Sequence, residues 1–321
     1  MKIDIYSGFL GAGKTTLIKK MIAEAYMGQK LVLIENEFGQ IGIDGGFLQD
    51  SGINITEMNS GCICCSLVGD FGKALRDVIE TYHPDRILIE PSGVGKLSDV
   101  IGAVRKVTND EVTLGYTVAV ADAGKVKVYM KNFGEFYNNQ IETASTIILS
   151  RTDSIPQAKL DAAVAMLREH NADATIVVAP WSELSGAQLL EAMEGKATLA
   201  AALEELEHEH HHDHEEGCCC GHHDHDHHHH ADEVFTSWGV ETTRKFTVAE
   251  LEAALHSLDT GRFGVILRAK GIVACADGGW IHFDYVPEEH NIRMGSASII
   301  GKLCVIGAQL DEQGVAKLFG V

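Results

Sequence analysis

The sequence predicts an α/β domain built on a mostly parallel sheet, followed by a small α+β domain, and three observations carry that prediction. From Lys2 to Met193 short apolar runs alternate with helix-length stretches, the pattern of parallel strands joined by helical crossovers. The composition then changes abruptly: His208 to His230 holds twelve of the seventeen histidines, interleaved with Asp, Glu and Cys. Such a segment has almost no apolar surface to bury and is expected to be disordered without a ligand. From Glu233 new strand-like runs begin. The predicted organisation is therefore a domain at 1–200, an acidic His/Cys-rich metal-binding linker at 201–232 and a second domain at 233–321.

Lys2 to Ser7 reads as a short buried strand and Thr15 to Met27 as a helix. Between them, Gly8-Phe9-Leu10-Gly11-Ala12-Gly13-Lys14-Thr15 has the Walker A spacing. In a loop of this kind Gly8, Gly11, Ala12 and Gly13 let backbone N–H groups close around phosphates, and the helix N-terminus adds partial positive charge. Lys14 is placed to reach the β and γ phosphates, and the Thr15 hydroxyl to ligate Mg²⁺. The first domain is thus a P-loop NTPase domain.

Lys30 to Asn36 reads as the next buried strand, and Glu37 to Gly46 as a glycine-rich loop at the position of a nucleotide switch. Ile53 to Met58 is a strand that runs into Asn59-Ser60-Gly61-Cys62-Ile63-Cys64-Cys65, and a helix follows over Leu67 to Tyr82. Arg86-Ile87-Leu88-Ile89-Glu90-Pro91-Ser92-Gly93 is an apolar strand ending in a carboxylate, a Walker B arrangement with Glu in place of Asp. Val112 to Asp122, Thr146 to Leu149 and Thr175 to Ala179 supply further strands. Helices fall over Pro156 to His170, with Pro in the first turn and Leu160, Val164 and Leu167 on one face, and over Ser185 to Met193. In such sheets ligands bind at the strands' C-terminal ends, where all these loops lie. In the second domain, Val234 to Trp238, Gly264 to Ala269, Ile272 to Ala276, Trp280 to Val286 and Leu303 to Gly307 read as strands. Thr247 and Glu250 form a capping box ahead of a helix over Val248 to Leu258.

The formal charge of −20 is unevenly spread, because twelve Asp and Glu and no Lys or Arg fall between Ala197 and Thr243. The rest is mildly acidic and lacks the basic face that nucleic acid requires. No stretch of about 18 apolar residues exists to span a membrane, and no apolar leader precedes the P-loop, so the expected location is cytoplasmic. Eight cysteines in such a protein point to metal or redox chemistry. Cys62, Cys64 and Cys65 form one cluster and Cys218, Cys219 and Cys220 another, while Cys275 and Cys304 stand alone and read as ordinary buried thiols. Thiolates favour Zn²⁺, Cu(I) and Co²⁺. In a regular strand Cys62 and Cys64 share a face and Cys65 points away, so convergence of all three needs a turn, which Gly61 permits. Three thiolates leave one tetrahedral position for water, Glu37 or a client's ligand. The histidine tract, including His210, His211, His212, His227 and His228, offers imidazoles suited to Ni²⁺, Zn²⁺ or Co²⁺.

The P-loop, Glu35-Asn36-Glu37-Phe38-Gly39, Cys62-Ile63-Cys64-Cys65 and Glu90-Pro91-Ser92-Gly93 occur in that order, and together they resemble the CobW-like family of metal-handling P-loop GTPases over the whole chain. The resemblance assigns Lys14, Thr15 and Thr16 to phosphate and Mg²⁺. It places Glu90 near Mg²⁺, directly or through water, makes Gly93 the glycine whose N–H senses the γ-phosphate, and puts Glu37 in the first switch beside the metal site. The family's base-reading Asn-Lys-x-Asp is replaced here by Ser150-Arg151-Thr152-Asp153. Asp153 is kept, and a carboxylate accepts from the N1–H and exocyclic amine of guanine, which favours GTP. Arg151 can cover the base plane with its guanidinium or its stem, and Ser150 loses the Asn amide.

The function these readings imply is a GTP-hydrolysing metallochaperone whose Zn²⁺, Co²⁺ or Ni²⁺ passes to a client metalloprotein, with a nucleotide-dependent homodimer among its expected assemblies. Two alternatives stay open at this stage. One is a GTPase accessory factor for assembly of a cobalamin- or nickel-dependent enzyme; the other is a passive His-rich metal store with a vestigial nucleotide site.

Overall fold

The computed structural model describes residues 1–35, 55–59, 68–212 and 236–321, which divide into two compact units, Met1–Gly195 and Lys196–Val321. Among the described residues the first unit holds seven strands: β1 (Lys2–Gly8), β2 (Leu31–Glu35), β3 (Ile55–Asn59), β4 (Arg86–Glu90), β5 (Thr113–Asp122), β6 (Thr146–Ser150) and β7 (Thr175–Val177). They pair in the order β3-β2-β4-β1-β5-β6-β7, every pairing parallel. Leu31 to Ile34, Ile87 to Ile89 and Ile147 to Leu149 are buried throughout, as strands covered on both faces must be.

The covering helices are α1 (Lys14–Glu24), α2 (Val68–Tyr82), α3 (Leu97–Arg105), α4 (Val126–Thr143), α5 (Gln157–His170) and α6 (Gly186–Met193). Helix α1 buries Leu17, Ile18, Met21 and Ile22, and α2 buries Phe71, Leu75 and Val78, each at helical spacing. Pro156 is the extended N-cap of α5 rather than a residue of its first turn, and the face of that helix buries Leu160, Ala163 and Leu167, with Ala163 in place of Val164. Toward the N-terminal end of the strands, the fully buried Asp4 accepts from Arg86 at 2.5 Å, from the Tyr26 hydroxyl at 3.1 Å and from the Tyr116 N–H at 3.0 Å. That network ties β1, β4 and β5 together and leaves their opposite ends to the loops.

The second unit is a sheet of β8 (Thr236–Thr242), β9 (Lys245–Phe246), β10 (Val265–Cys275), β11 (Trp280–Val286), β12 (Glu289–Gly295) and β13 (Gly301–Ala308). Its order is β12-β11-β10-β13-β8, antiparallel, with β9 pairing parallel to the end of β10. The helices are α7 (Leu199–His212), α8 (Val248–Leu258) and α9 (Glu312–Phe319). Alternation along β13 sends Leu303 and Val305 into a core with Leu251, Leu255, Phe283 and Phe319, and Cys304 and Ile306 to a smaller cluster with Leu199, Leu203 and Leu206 of α7. Helix α7 therefore begins ahead of residue 201, where composition alone sets the linker, and its apolar stripe is packed. Cys275 and Cys304 are buried thiols.

The predicted break between Ala269 and Ile272 is absent, because β10 runs unbroken through Gly271. A Cβ there would lie 2.4 Å from the Phe283 ring, so the glycine makes room for a cross-strand aromatic rather than a turn. The thread Thr247–Glu250 caps α8 as the sequence predicts: Glu250 N donates to Thr247 Oγ1 at 3.1 Å and Thr247 N to Glu250 Oε2 at 2.8 Å.

Candidate functional site

Strand β1 ends against β5 so closely that a Cβ on Gly8 would lie 2.3 Å from the Val120 carbonyl oxygen, and Gly8 has φ +143°. The chain then turns through the loop into α1, whose N-cap is Gly13. Phe9 anchors the loop, its ring 4.5 Å from Tyr129 and 4.9 Å from Phe133 of α4. Tyr137 joins that cluster, and burial pushes its hydroxyl pKa up, with the Asp122 carboxylate adding to the shift.

Beside the loop, the first turn of α1 meets the end of β4. Thr15 Oγ1 lies 3.0 Å from both Glu90 oxygens, and Lys14 Nζ is 3.9 Å from Glu90 Oε1. Lys14 and Glu90 are 8% and 6% exposed. A hydroxyl and a carboxylate so close together are hard oxygen donors, the chemistry Mg²⁺ takes. These residues fit that ion, and the buried ammonium fits a phosphate.

The loop after β4 presses on the P-loop. A Cβ on Gly93 would lie 2.7 Å from the Leu10 backbone nitrogen. Gln140 of α4, itself buried, holds that loop by donating to the Gly93 and Gly95 carbonyls at 3.1 and 2.8 Å. One helix thus supports both segments.

A cavity of about 340 Å³ opens next to the P-loop, lined by Gly13, Thr16, Ser150, Asp153, Pro180 and Trp181 among others. Asp153 is exposed there, and Ser150 and Thr152 are buried. Arg151, at φ +56°, also lines the cavity, but its guanidinium is engaged: it pairs with Asp122 and donates to the Gly11 carbonyl at 3.0 Å. Trp181 donates from Nε1 to the Leu149 carbonyl at 2.9 Å. A Cβ on Gly13 would lie 3.1 Å from its ring. Sequence reasoning missed Asp122, Gln140, Pro180 and Trp181. The available signal for the last two was a Trp just past a short buried strand on the same sheet edge as every other site loop.

Glu37, Cys62, Cys64 and Cys65 lie outside the described residues, as do Cys218, Cys219, Cys220, His227 and His228. His210, His211 and His212 are the last residues of α7. The strands that lead into the first two segments are described. Glu35, which ends β2, pairs in register with Glu90 on one side and Asn59, the end of β3, on the other.

Fold and site together define a P-loop nucleotide-binding protein. The family description "CobW/HypB/UreG, nucleotide-binding domain" matches residues 2–178, and "Cobalamin synthesis protein cobW C-terminal domain" matches residues 235–320; the chain belongs to the CobW family. It is 31% identical over 153 residues to the zinc chaperone YeiR of Escherichia coli, covering 47% of each chain. It is 32% identical over 187 residues to the zinc chaperone CobW of Sinorhizobium sp, covering 49% of this chain and 52% of the relative. The chain spans about half the length of the curated relatives it matches. The crystal structure of Zn(II)-bound YjiA GTPase from E. coli is similar at 19% identity and a TM-score of 0.42, covering 100% of this chain and 98% of that one. Among the described residues no helix is long and apolar enough to cross a membrane.

Proposed function

We propose that this protein is a GTP-hydrolysing metallochaperone that binds a transition metal at Cys62, Cys64 and Cys65 and delivers it to a client metalloprotein. The observation that carries the proposal is the register of three strand ends. Glu90 of the phosphate site, Glu35 and Asn59 lie side by side, and neighbouring strands are about 4.8 Å apart. Along the sequence Glu37 is two residues beyond Glu35 and Cys62 three beyond Asn59. The strands that lead into the switch and thiolate segments thus end beside the strand that carries Glu90.

In this reading Thr15 and Glu90 hold Mg²⁺, which neutralises phosphate charge when bound. Lys14 and the P-loop N–H groups bind the phosphates, Asp153 reads guanine and Glu90 orients water. GTP orders the segments carrying Glu37 and Gly93 and assembles the thiolates with Glu37 as fourth ligand; after hydrolysis the γ-phosphate contacts vanish and the metal is released. The relatives named zinc chaperones favour zinc as the cargo.

Competitive zinc titration of the full chain, with a non-hydrolysable GTP analogue, with GDP and without nucleotide, tests the proposal. Zinc should bind about 5–150-fold more tightly in the analogue state, the usual range of coupling between sites. Replacing Cys62, Cys64 and Cys65 by Ser should abolish the difference. Equal zinc affinity in all three states would overturn the reading.

A further inference from the structure

Three metal-ligating side chains meet in the second unit. Glu252 and His256 are one turn apart on α8 and so lie on one stripe of that helix. His290 comes from β12, where exposure alternates: Glu289 and Asn291 are exposed, while His290 and Ile292 are half-buried. Ile292 packs against the core beneath α8, so strand periodicity turns His290 toward the same helix. The ligand atoms of Glu252, His256 and His290 all lie within 4.8 Å of one another. The two imidazoles meet edge to face, their centroids 4.7 Å apart.

The arrangement is braced. Asp259, the C-cap of α8, accepts from the Tyr285 hydroxyl at 2.6 Å and from the Glu288 N–H at 2.9 Å. Tyr285 is the cross-strand partner of His290, and Glu288, at φ +67°, belongs to the turn between β11 and β12. One carboxylate therefore fastens the helix end that carries His256 to the hairpin that carries His290. It also sets a negative charge beside both imidazoles.

We infer that Glu252, His256 and His290 form a binding site for a borderline divalent cation, Zn²⁺, Co²⁺ or Ni²⁺, with a coordination position left open for exchange. Two imidazoles and one carboxylate select these ions over Mg²⁺ or Ca²⁺. Around a tetrahedral ion with ligands at 2.0–2.1 Å, donor atoms stand about 3.3 Å apart, so rotation of the exposed Glu252 and His256 side chains closes the site. Three protein ligands and an open position suit a site that takes up and passes on its ion. Its three ligands all come from the second unit and none is a cysteine, so it stands or falls apart from the nucleotide-linked reading.

The test uses the full-length chain with Cys62, Cys64, Cys65, Cys218, Cys219 and Cys220 changed to Ser and the twelve histidines of His208 to His230 changed to Asn. Calorimetric titration with zinc should find one remaining equivalent per chain, and cobalt should give the intense visible absorption of a low-coordinate site. His256→Asn and His290→Asn should each weaken zinc by more than about 100-fold, and Asp259→Asn, which removes a brace and a nearby negative charge but no ligand, by about 10-fold. Unchanged thermal unfolding of the His256→Asn variant without metal separates loss of a ligand from loss of the fold. A background chain that binds no zinc, or binds it with an affinity neither histidine substitution moves, would overturn the inference.

Discussion

A methyl group added at Gly93 would test how firmly the loop after β4 is pressed onto the P-loop. Built on the present backbone, it would lie 2.7 Å from the Leu10 nitrogen, 2.8 Å from Leu10 Cδ2 and 3.0 Å from Leu10 Cγ. The exposed Leu10 side chain can rotate away; the backbone nitrogen cannot. Retreat of the Gly93 loop is opposed by the two hydrogen bonds from the Gln140 amide. Overpacking of this kind costs about 1–3 kcal/mol, and giving up both hydrogen bonds costs about the same. If the P-loop yields instead, triphosphate affinity falls by about 5–150-fold, at 1.4 kcal/mol per factor of ten. Displacement of a fluorescent GTP analogue, read beside a thermal melt, measures both routes. The double variant Gly93→Ala/Gln140→Ala should recover part of the lost affinity, because its loop is free to back away. Wild-type affinity and an unchanged Tm in Gly93→Ala would refute the reasoning.

Asp153→Asn replaces an acceptor by an amide that also donates; GTP should weaken by about 10–150-fold, the range of a charge-assisted hydrogen bond, while xanthosine triphosphate gains, as competition binding will show. Arg86→Met strips the guanidinium from the buried Asp4 and should cost about 3–5 kcal/mol in denaturant unfolding; a loss below about 1 kcal/mol would place that pair outside the stability of the sheet. The Tyr285 hydroxyl and the Glu288 N–H hold the Asp259 carboxyl below its ordinary range. Its stabilising effect is therefore complete above the unfolded value near 3.9 and is lost as pH falls through the lower folded value. Thermal melts of wild type and Asp259→Asn should converge in acid below about pH 4; an equal gap at neutral and acid pH would contradict this.

The features legible in the sequence are those fixed by local rules. A phosphate loop needs its glycines at set intervals, and Thr247 and Glu250 signal their helix start through a reciprocal hydrogen bond. Features fixed by tertiary contact were not legible. Gly271 reads locally as a breaker, yet it serves to admit the Phe283 ring. Helix α4 has its period interrupted at Phe133, where the backbone leaves helical geometry, and it buries only Val126, Tyr137, Gln140 and Ile141. Gln140 is polar in the middle of that weak pattern, so its grip on the Gly93 loop has no local sign. Arg151 shows the same limit from the other side: its position at the cavity follows from the motif, whereas its pairing with Asp122 depends on how β5 and β6 align.

Linked binding of a triphosphate and a thiolate-held metal is reciprocal by thermodynamic necessity. The most direct measurement is the affinity of the full chain for a non-hydrolysable GTP analogue with and without saturating zinc, in wild type and with Cys62, Cys64 and Cys65 changed to Ser. Zinc should tighten the analogue by the same factor that the analogue tightens zinc, and the serine variant should show no effect. An analogue affinity indifferent to zinc, or a response that survives in the serine variant, would contradict the account.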